Sequence, residues 1–299
     1  MNALLRDDEL AALEAAVGAA LVRADAGSLR VLGYGEISLV AAWPAAAGTL
    51  ACKRLPLFDS ERALASYRDC VDRYLAALRE GGVEPVPTAV QHLAHDDGKL
   101  AAYVVQPVLS AEALLPARWA AGDQALVIRD FERILAAVDG CVGPSRGLDG
   151  QLSNWAWVDG ALRYLDVSTP MLRDAHGREA LDTGLFLASL PWALRSLVRR
   201  FMLHAILDKY YDRRGVVLDL LGNLYKERLG PLVAPLLPVA NAHLAPPITG
   251  DETMSYYRSD ARMWALLQRL RRLDRWWQRR VRRHVYPFLL PGDIERHLA

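Results

Sequence analysis

Short extended runs punctuated by glycine are confined to one early stretch of this chain, and almost everything outside that stretch carries helical periodicity. This uneven distribution restricts the fold more than any other feature. Residues 29–32 and 37–43 read as strands around Gly33 and Gly35, Gly48 marks a turn, and residues 50–55 supply a third run. Residues 88–93 and 100–105 flank the turn Asp96-Asp97-Gly98 and form a hairpin. Between the third run and that hairpin, Asp59 or Ser60 caps a helix that continues to about residue 79, with Leu64, Tyr67, Val71, Tyr74, Leu75 and Leu78 on one side and Gly81-Gly82 as its stop. An earlier helix over residues 9–23 repeats Leu10, Leu13, Val17 and Leu21 at helical spacing and ends before Gly27.

After Pro107 the pattern becomes helical, notably over residues 123–138, 183–211 and 255–285. The exception is residues 143–170, where runs at 155–158 and 161–165 enclose an Asp159-Gly160 turn. The expected class is therefore α+β with two lobes. Residues 1–107 form a small antiparallel sheet with its helices, and residues 108–299 form a larger, mostly helical part with one embedded hairpin.

Composition narrows the role. Half of the 299 residues are apolar (52%) and 24% are charged, the balance of a chain with a core, and the formal charge of +1 creates no overall field toward nucleic acid. Cys52, Cys70 and Cys141 are an odd set without paired metal-ligand spacing, and Asp7, Asp8 and Glu9 stand where a signal sequence would be basic and apolar, so a reducing cytoplasm is the expected compartment. The apolar stretches 181–207 and 229–247 are interrupted by Arg195, Arg199 and Arg200 or by prolines, so no transmembrane segment is expected. The histidines make no HxxxH or HExxH cluster, and Ser38, Ser153 and Ser168 lack a nucleophile elbow.

Three constellations carry chemistry. Gly33-Tyr34-Gly35-Glu36-Ile37-Ser38 joins two strand-like runs, where glycines let backbone N–H groups approach a triphosphate; the same pattern also occurs in ordinary hairpins. Lys53 lies in the apolar run 50–55, where period two turns Ala51, Lys53 and Leu55 to one face. An inward lysine needs an anionic partner, whereas an edge lysine keeps its ammonium in water. The third is Asp149, with Asn154 five residues on and Asp166 after the hairpin. This compact set of oxygen donors suits Mg²⁺ beside substrate phosphates, although Asp149 and Asn154 also suit a turn.

Taken in order, Gly33-x-Gly35, Lys53, Asp149 with Asn154, and Asp166 resemble the protein-kinase-like superfamily, and most closely its aminoglycoside and choline phosphotransferase branch. The resemblance covers most of residues 30–170. It implies a bilobal kinase-like fold that binds ATP with Mg²⁺ under the turn containing Gly33, Tyr34, Gly35 and Ser38. It further implies that Lys53 contacts the α and β phosphates, that Asp149 orients or deprotonates an acceptor hydroxyl, and that Asn154 and Asp166 hold Mg²⁺. Asp69 on the first-lobe helix is the preferred partner for Lys53, with Asp72 and Glu61 as alternatives. Departures set the chain apart from protein kinases: Leu148 replaces the usual histidine or arginine, Asp166-Val167-Ser168 replaces an Asp-Phe-Gly run, and no Ala-Pro-Glu follows.

The expected activity is phosphorylation of a hydroxyl on a small molecule; the alternative is a kinase-shaped nucleotide-binding protein that transfers nothing. Nucleic acid is not an expected partner. The arginine-rich run 269–283 suits weak contact with an acidic membrane or a protein, but the preferred reading is structural: Met263, Leu266, Leu267, Leu270, Leu273 and Trp277 supply a helical stripe for the core, with the arginines on solvated faces.

Overall fold

The computed structural model describes residues 4–34, 39–187, 190, 195 and 203–290. Strands β1 (Val31–Tyr34), β2 (Leu39–Trp43), β3 (Leu50–Arg54), β4 (Ala89–Ala94) and β5 (Leu100–Pro107) form one antiparallel sheet in the order β1-β2-β3-β5-β4. Helix α1 (Asp7–Arg23) precedes it, and α2 (Glu61–Glu80) falls between β3 and β4. Ser60 caps α2 by accepting a hydrogen bond from the Ala63 amide, and Gly81 ends it.

Strand alternation divides this sheet between two cores. Leu39, Leu50, Cys52, Tyr103 and Val105 pack on Leu10, Leu13, Val17 and Ala20 of α1. Leu55, Ala102 and Val104 instead join Leu64, Tyr67, Val71 and Tyr74 of α2 in a core that continues into the helical body. Gly33, Val40, Lys53, Val104 and Val90 are aligned across the five strands, so Lys53 shares the second face.

The remainder is helical around one two-stranded hairpin. In chain order come α3 (Leu115–Ala121), α4 (Gln124–Cys141), the hairpin β6 (Trp155–Val158) and β7 (Ala161–Tyr164), α5 (Gly184–Leu187), α6 (Leu203–Asp208), α7 (Arg213–Lys226), α8 (Val233–Asn241) and α9 (Gly250–Arg280). Helix α7 runs through the core with Val216, Val217, Leu220, Leu221 and Leu224 buried. A Cβ on Gly222 would fall 2.6 Å from the Tyr256 ring, so glycine there lets α9 approach α7. The hairpin is tied to the segment between α2 and β4 by two backbone bonds, Val86 to Tyr164 at 2.8 Å and Tyr164 to Glu84 at 3.0 Å.

The α+β class and the small antiparallel sheet agree with the sequence expectation. Thirteen of the 29 residues of the helix expected over 183–211 lie outside the described residues, which hold α5 and α6 toward its two ends. The final helix is a correction: its buried residues are Thr253, Tyr257, Ala261, Gln268 and Arg271, whereas Met263, Leu266, Leu273 and Trp277, read as a core stripe, are exposed. Periodicity establishes that these four share a side but not what that side meets. Among the described residues, no helix is long and apolar enough to cross a membrane.

The α1 face also holds a charged group that sequence reading missed. Glu14, only 7% exposed, accepts two hydrogen bonds from Arg54 at 2.9 and 2.6 Å, one from the Tyr103 hydroxyl, and lies 3.0 Å from His95 Nε2. Burial acts to raise its carboxyl, but Arg54, Tyr103 and His95 outweigh that and hold it below the ordinary glutamate value.

Candidate functional site

The alternation of β3 directs Lys53 toward the segment that follows β7. Its side chain is 18% exposed, and its ammonium donates to Asp166 Oδ1 at 2.9 Å. Ser168 Oγ donates to the same oxygen at 2.8 Å, and the Ser168 carbonyl accepts from Tyr67 on α2 at 2.8 Å. Gln106 on β5 donates to the Leu165 carbonyl at 2.8 Å. Asp166 is thus positioned from the sheet and from α2 together. Burial works to raise its carboxyl, yet the Lys53 charge and the bonds from Lys53 and Ser168 prevail and hold it below the usual aspartate range.

Asp149 reaches the same region from a loop locked to the helical body. Leu148 is buried, and its amide donates to the Tyr210 carbonyl at 3.0 Å. Gly150 lies so close to α7 that a Cβ would meet Val216 at 2.6 Å. Asn154 Nδ2 and the Tyr164 hydroxyl each donate to the Asp149 carbonyl at 3.2 Å, and the Leu165 amide donates to the Asn154 carbonyl at 2.8 Å. These bonds set Asp149, Asn154 and Asp166 side by side. The Asp149 carboxyl is pushed up to about 7 by burial first, then by Asp219 and Asp166, against the opposing effect of the Gln151 amide and Lys209.

Two of those neighbours belong to a cluster absent from the sequence reading. Lys209 donates to Asp219 Oδ1 at 2.8 Å and to the Tyr256 hydroxyl at 2.7 Å, and Tyr256 donates to the same Asp219 oxygen. Burial acts to lower the Lys209 ammonium, but Tyr210, Asp219 and Tyr256 raise it overall. Asp219 is 1% exposed. A sequence signal existed, since Asp219 interrupts the apolar run Val216-Val217-Leu218-Asp219-Leu220-Leu221.

Other expected residues are not gathered there. Asp69 is exposed and pairs with Arg73 at 2.9 Å, one turn along α2, while Asp72 and Glu61 are exposed as well; Lys53 takes Asp166 as its partner instead. The reason is helical phase: Asp69 lies opposite the buried line of Leu64, Tyr67, Val71, Tyr74 and Leu78. Asp69→Ala is accordingly expected to change stability by less than about 0.5 kcal/mol in urea unfolding. Tyr34 pairs with Leu39 and stands on the α1 face, away from Lys53. Gly33 is in register with the Lys53 row, and a Cβ built on it would meet open space. Gly35 and Ser38 lie outside the described residues.

Among the described residues, no three His, Cys, Asp or Glu side chains converge as a metal cage. Asp166 and Asn154 provide a pair of oxygen-bearing side chains, the number that Mg²⁺ commonly takes from protein when phosphates and water complete its shell. No curated protein matches the chain. A family model described as "Family of unknown function (DUF6206)" matches residues 12–275, which include the sheet, the Asp149 loop, the Lys53–Asp166 pair and the Lys209–Asp219–Tyr256 cluster. The chain belongs to that family, DUF6206.

Proposed function

We propose that this protein is a phosphotransferase with a bilobal, protein-kinase-like fold, using ATP and Mg²⁺ to phosphorylate a hydroxyl on a small molecule. The observation that carries the reading is the 2.9 Å contact between Lys53 and Asp166, beside the loop bearing Asp149 and Asn154. Residues that resemble the superfamily only by their order in the chain thus converge from three separate elements. The sheet order β1-β2-β3-β5-β4, with a helix between the third and fourth strands, supports the same reading.

The roles follow from charge and position. Lys53 donates to the α and β phosphates, while the open space over Gly33 admits close approach of a phosphate chain to the backbone. Asp166 and Asn154 are the residues that would hold Mg²⁺, which supplies neutralisation of the phosphate charge. Asp149 orients the acceptor hydroxyl and accepts its proton; a carboxyl raised to about 7 retains useful basicity near neutral pH. Asp219 and Lys209 tune that carboxyl in opposite directions.

A second reading, nucleotide binding without transfer, is favoured by one observation: no acid of α2 competes with Asp166 for Lys53. Both readings require a nucleotide. Asp166→Asn is expected to weaken binding of ATP with Mg²⁺ by about tenfold or more, because it removes a full negative charge from beside the cation. Thermal-shift titration of wild type and variant, with and without Mg²⁺, tests this. Identical metal-dependent shifts would remove Asp166 from the proposed site, and no nucleotide shift in folded wild type would reject both readings.

A further inference from the structure

We propose that the C-terminal half of α9, with the turn after it, docks on an anionic lipid surface. Met263, Leu266, Leu270, Leu273 and Trp277 recur at spacings of three and four along this 31-residue helix, which places them on one side. That side is turned away from the protein: Thr253, Tyr257, Ala261, Gln268 and Arg271 occupy the buried side. Met263, Leu266, Leu273, Trp276 and Trp277 are all exposed, the tryptophans by 54% and 44%, and the patch continues into exposed Val281 and Val285. Large apolar side chains so grouped mark a contact surface, because scattered exposure would leave no continuous stripe.

Charge selects the occupant. Residues 269–283 contain eight arginines against one acid, Asp274, and Arg269, Arg279, Arg280, Arg282 and Arg283 are exposed. A second copy of the chain would bring two strongly basic helices together, and the apolar stripe spans only about two heptads, short for a coiled coil. Residues 188–202 carry Arg195, Arg199 and Arg200 without an acid, so they offer the arginines of this surface no complementary charge. An anionic bilayer meets both requirements. Tryptophans settle at the headgroup boundary with ring buried and N–H wet, aliphatic side chains enter the upper acyl region, and guanidinium groups meet lipid phosphates and carboxylates. The helix would lie in the interface plane, since no helix among the described residues is suited to cross it. This docking does not depend on the phosphotransferase reading.

Co-sedimentation of the full chain with vesicles of phosphatidylcholine alone, or of phosphatidylcholine mixed with phosphatidylserine, tests the proposal. Binding is expected to be at least about tenfold stronger to the anionic vesicles and to weaken as salt rises. Trp276→Ala with Trp277→Ala, and separately Arg269→Glu with Arg280→Glu, should each lose about tenfold or more while melting as wild type, because these side chains are exposed. Equal binding to both vesicle types, no binding to either, or wild-type binding by the tryptophan variant would overturn it. So would a dimer in sedimentation velocity that the tryptophan variant dissociates, which would give the surface to a second copy. Protection of the tryptophans from acrylamide quenching in the free protein would also overturn it, because another part of the chain would then cover them.

Discussion

Asp149→Asn is expected to lower phosphoryl transfer by about 10²- to 10⁴-fold while leaving affinity for ATP with Mg²⁺ largely unchanged. Asparagine preserves the approximate shape of the side chain but cannot take the acceptor proton. The substitution should also stabilise the protein above neutral pH, an effect opposite in sign to its effect on turnover. The native carboxyl holds its proton up to about pH 7, whereas an unperturbed aspartate releases it near 3.8. Between those values the native state binds more protons than the unfolded state, so stability falls as pH rises through the window. Removing the titrating group removes that loss. The expected gain is on the order of 1 kcal/mol at pH 8, reduced from the full linkage value because Asp149 retains some contact with solvent. Urea unfolding at pH 5 and pH 8 measures it, and an unchanged pH slope in Asp149→Asn would assign the titration to another group.

The second large effect is structural. Glu14→Ala is expected to destabilise the fold by about 3–5 kcal/mol, because Arg54 would keep its charge in the α1 core with its two strongest hydrogen bonds gone. Glu14→Gln should lose less, since an amide oxygen still accepts from Arg54 and from the Tyr103 hydroxyl. Acid should act on wild type in the same way. A glutamate held below its ordinary value contributes stability that is present above about pH 4.5 and lost as pH falls through its native value. Chemical denaturation of the three proteins at neutral pH decides the matter, and equal midpoints for wild type and Glu14→Ala would show that solvent relieves Arg54 of its partner.

The elements were more legible than their environments. The glycine stops and the period-two runs around residues 29–55 and 88–105 suffice for the strands, and Ser60 with the apolar line of α2 suffices for that helix. The same line held information left unused: it places Asp69 on the far side of α2, where the structure finds it bound to Arg73. Glu14 gave a comparable signal, an acid set among Leu10, Leu13 and Val17, but its partner Arg54 is forty residues away and emerges only when α1 closes over β3. Asp149, Asn154 and Asp166 were recognisable by order. Their juxtaposition depends on backbone bonds from Leu165 to Asn154 and from Leu148 to Tyr210, which no local pattern encodes. Trp277 shows the remaining limit, since helical spacing selects a side of α9 while tertiary packing decides whether that side is core or surface.

The most direct test of the central claim is transfer itself. Wild-type protein incubated with γ-labelled ATP, Mg²⁺ and a broad panel of small hydroxyl compounds should place label on one chemical class of acceptor, with transfer abolished by chelation and reduced at least about a hundredfold in Asp149→Asn. Labelled product formed equally by wild type and Asp149→Asn, or wild type that binds ATP with Mg²⁺ yet labels no acceptor across the panel, would contradict the phosphotransferase assignment.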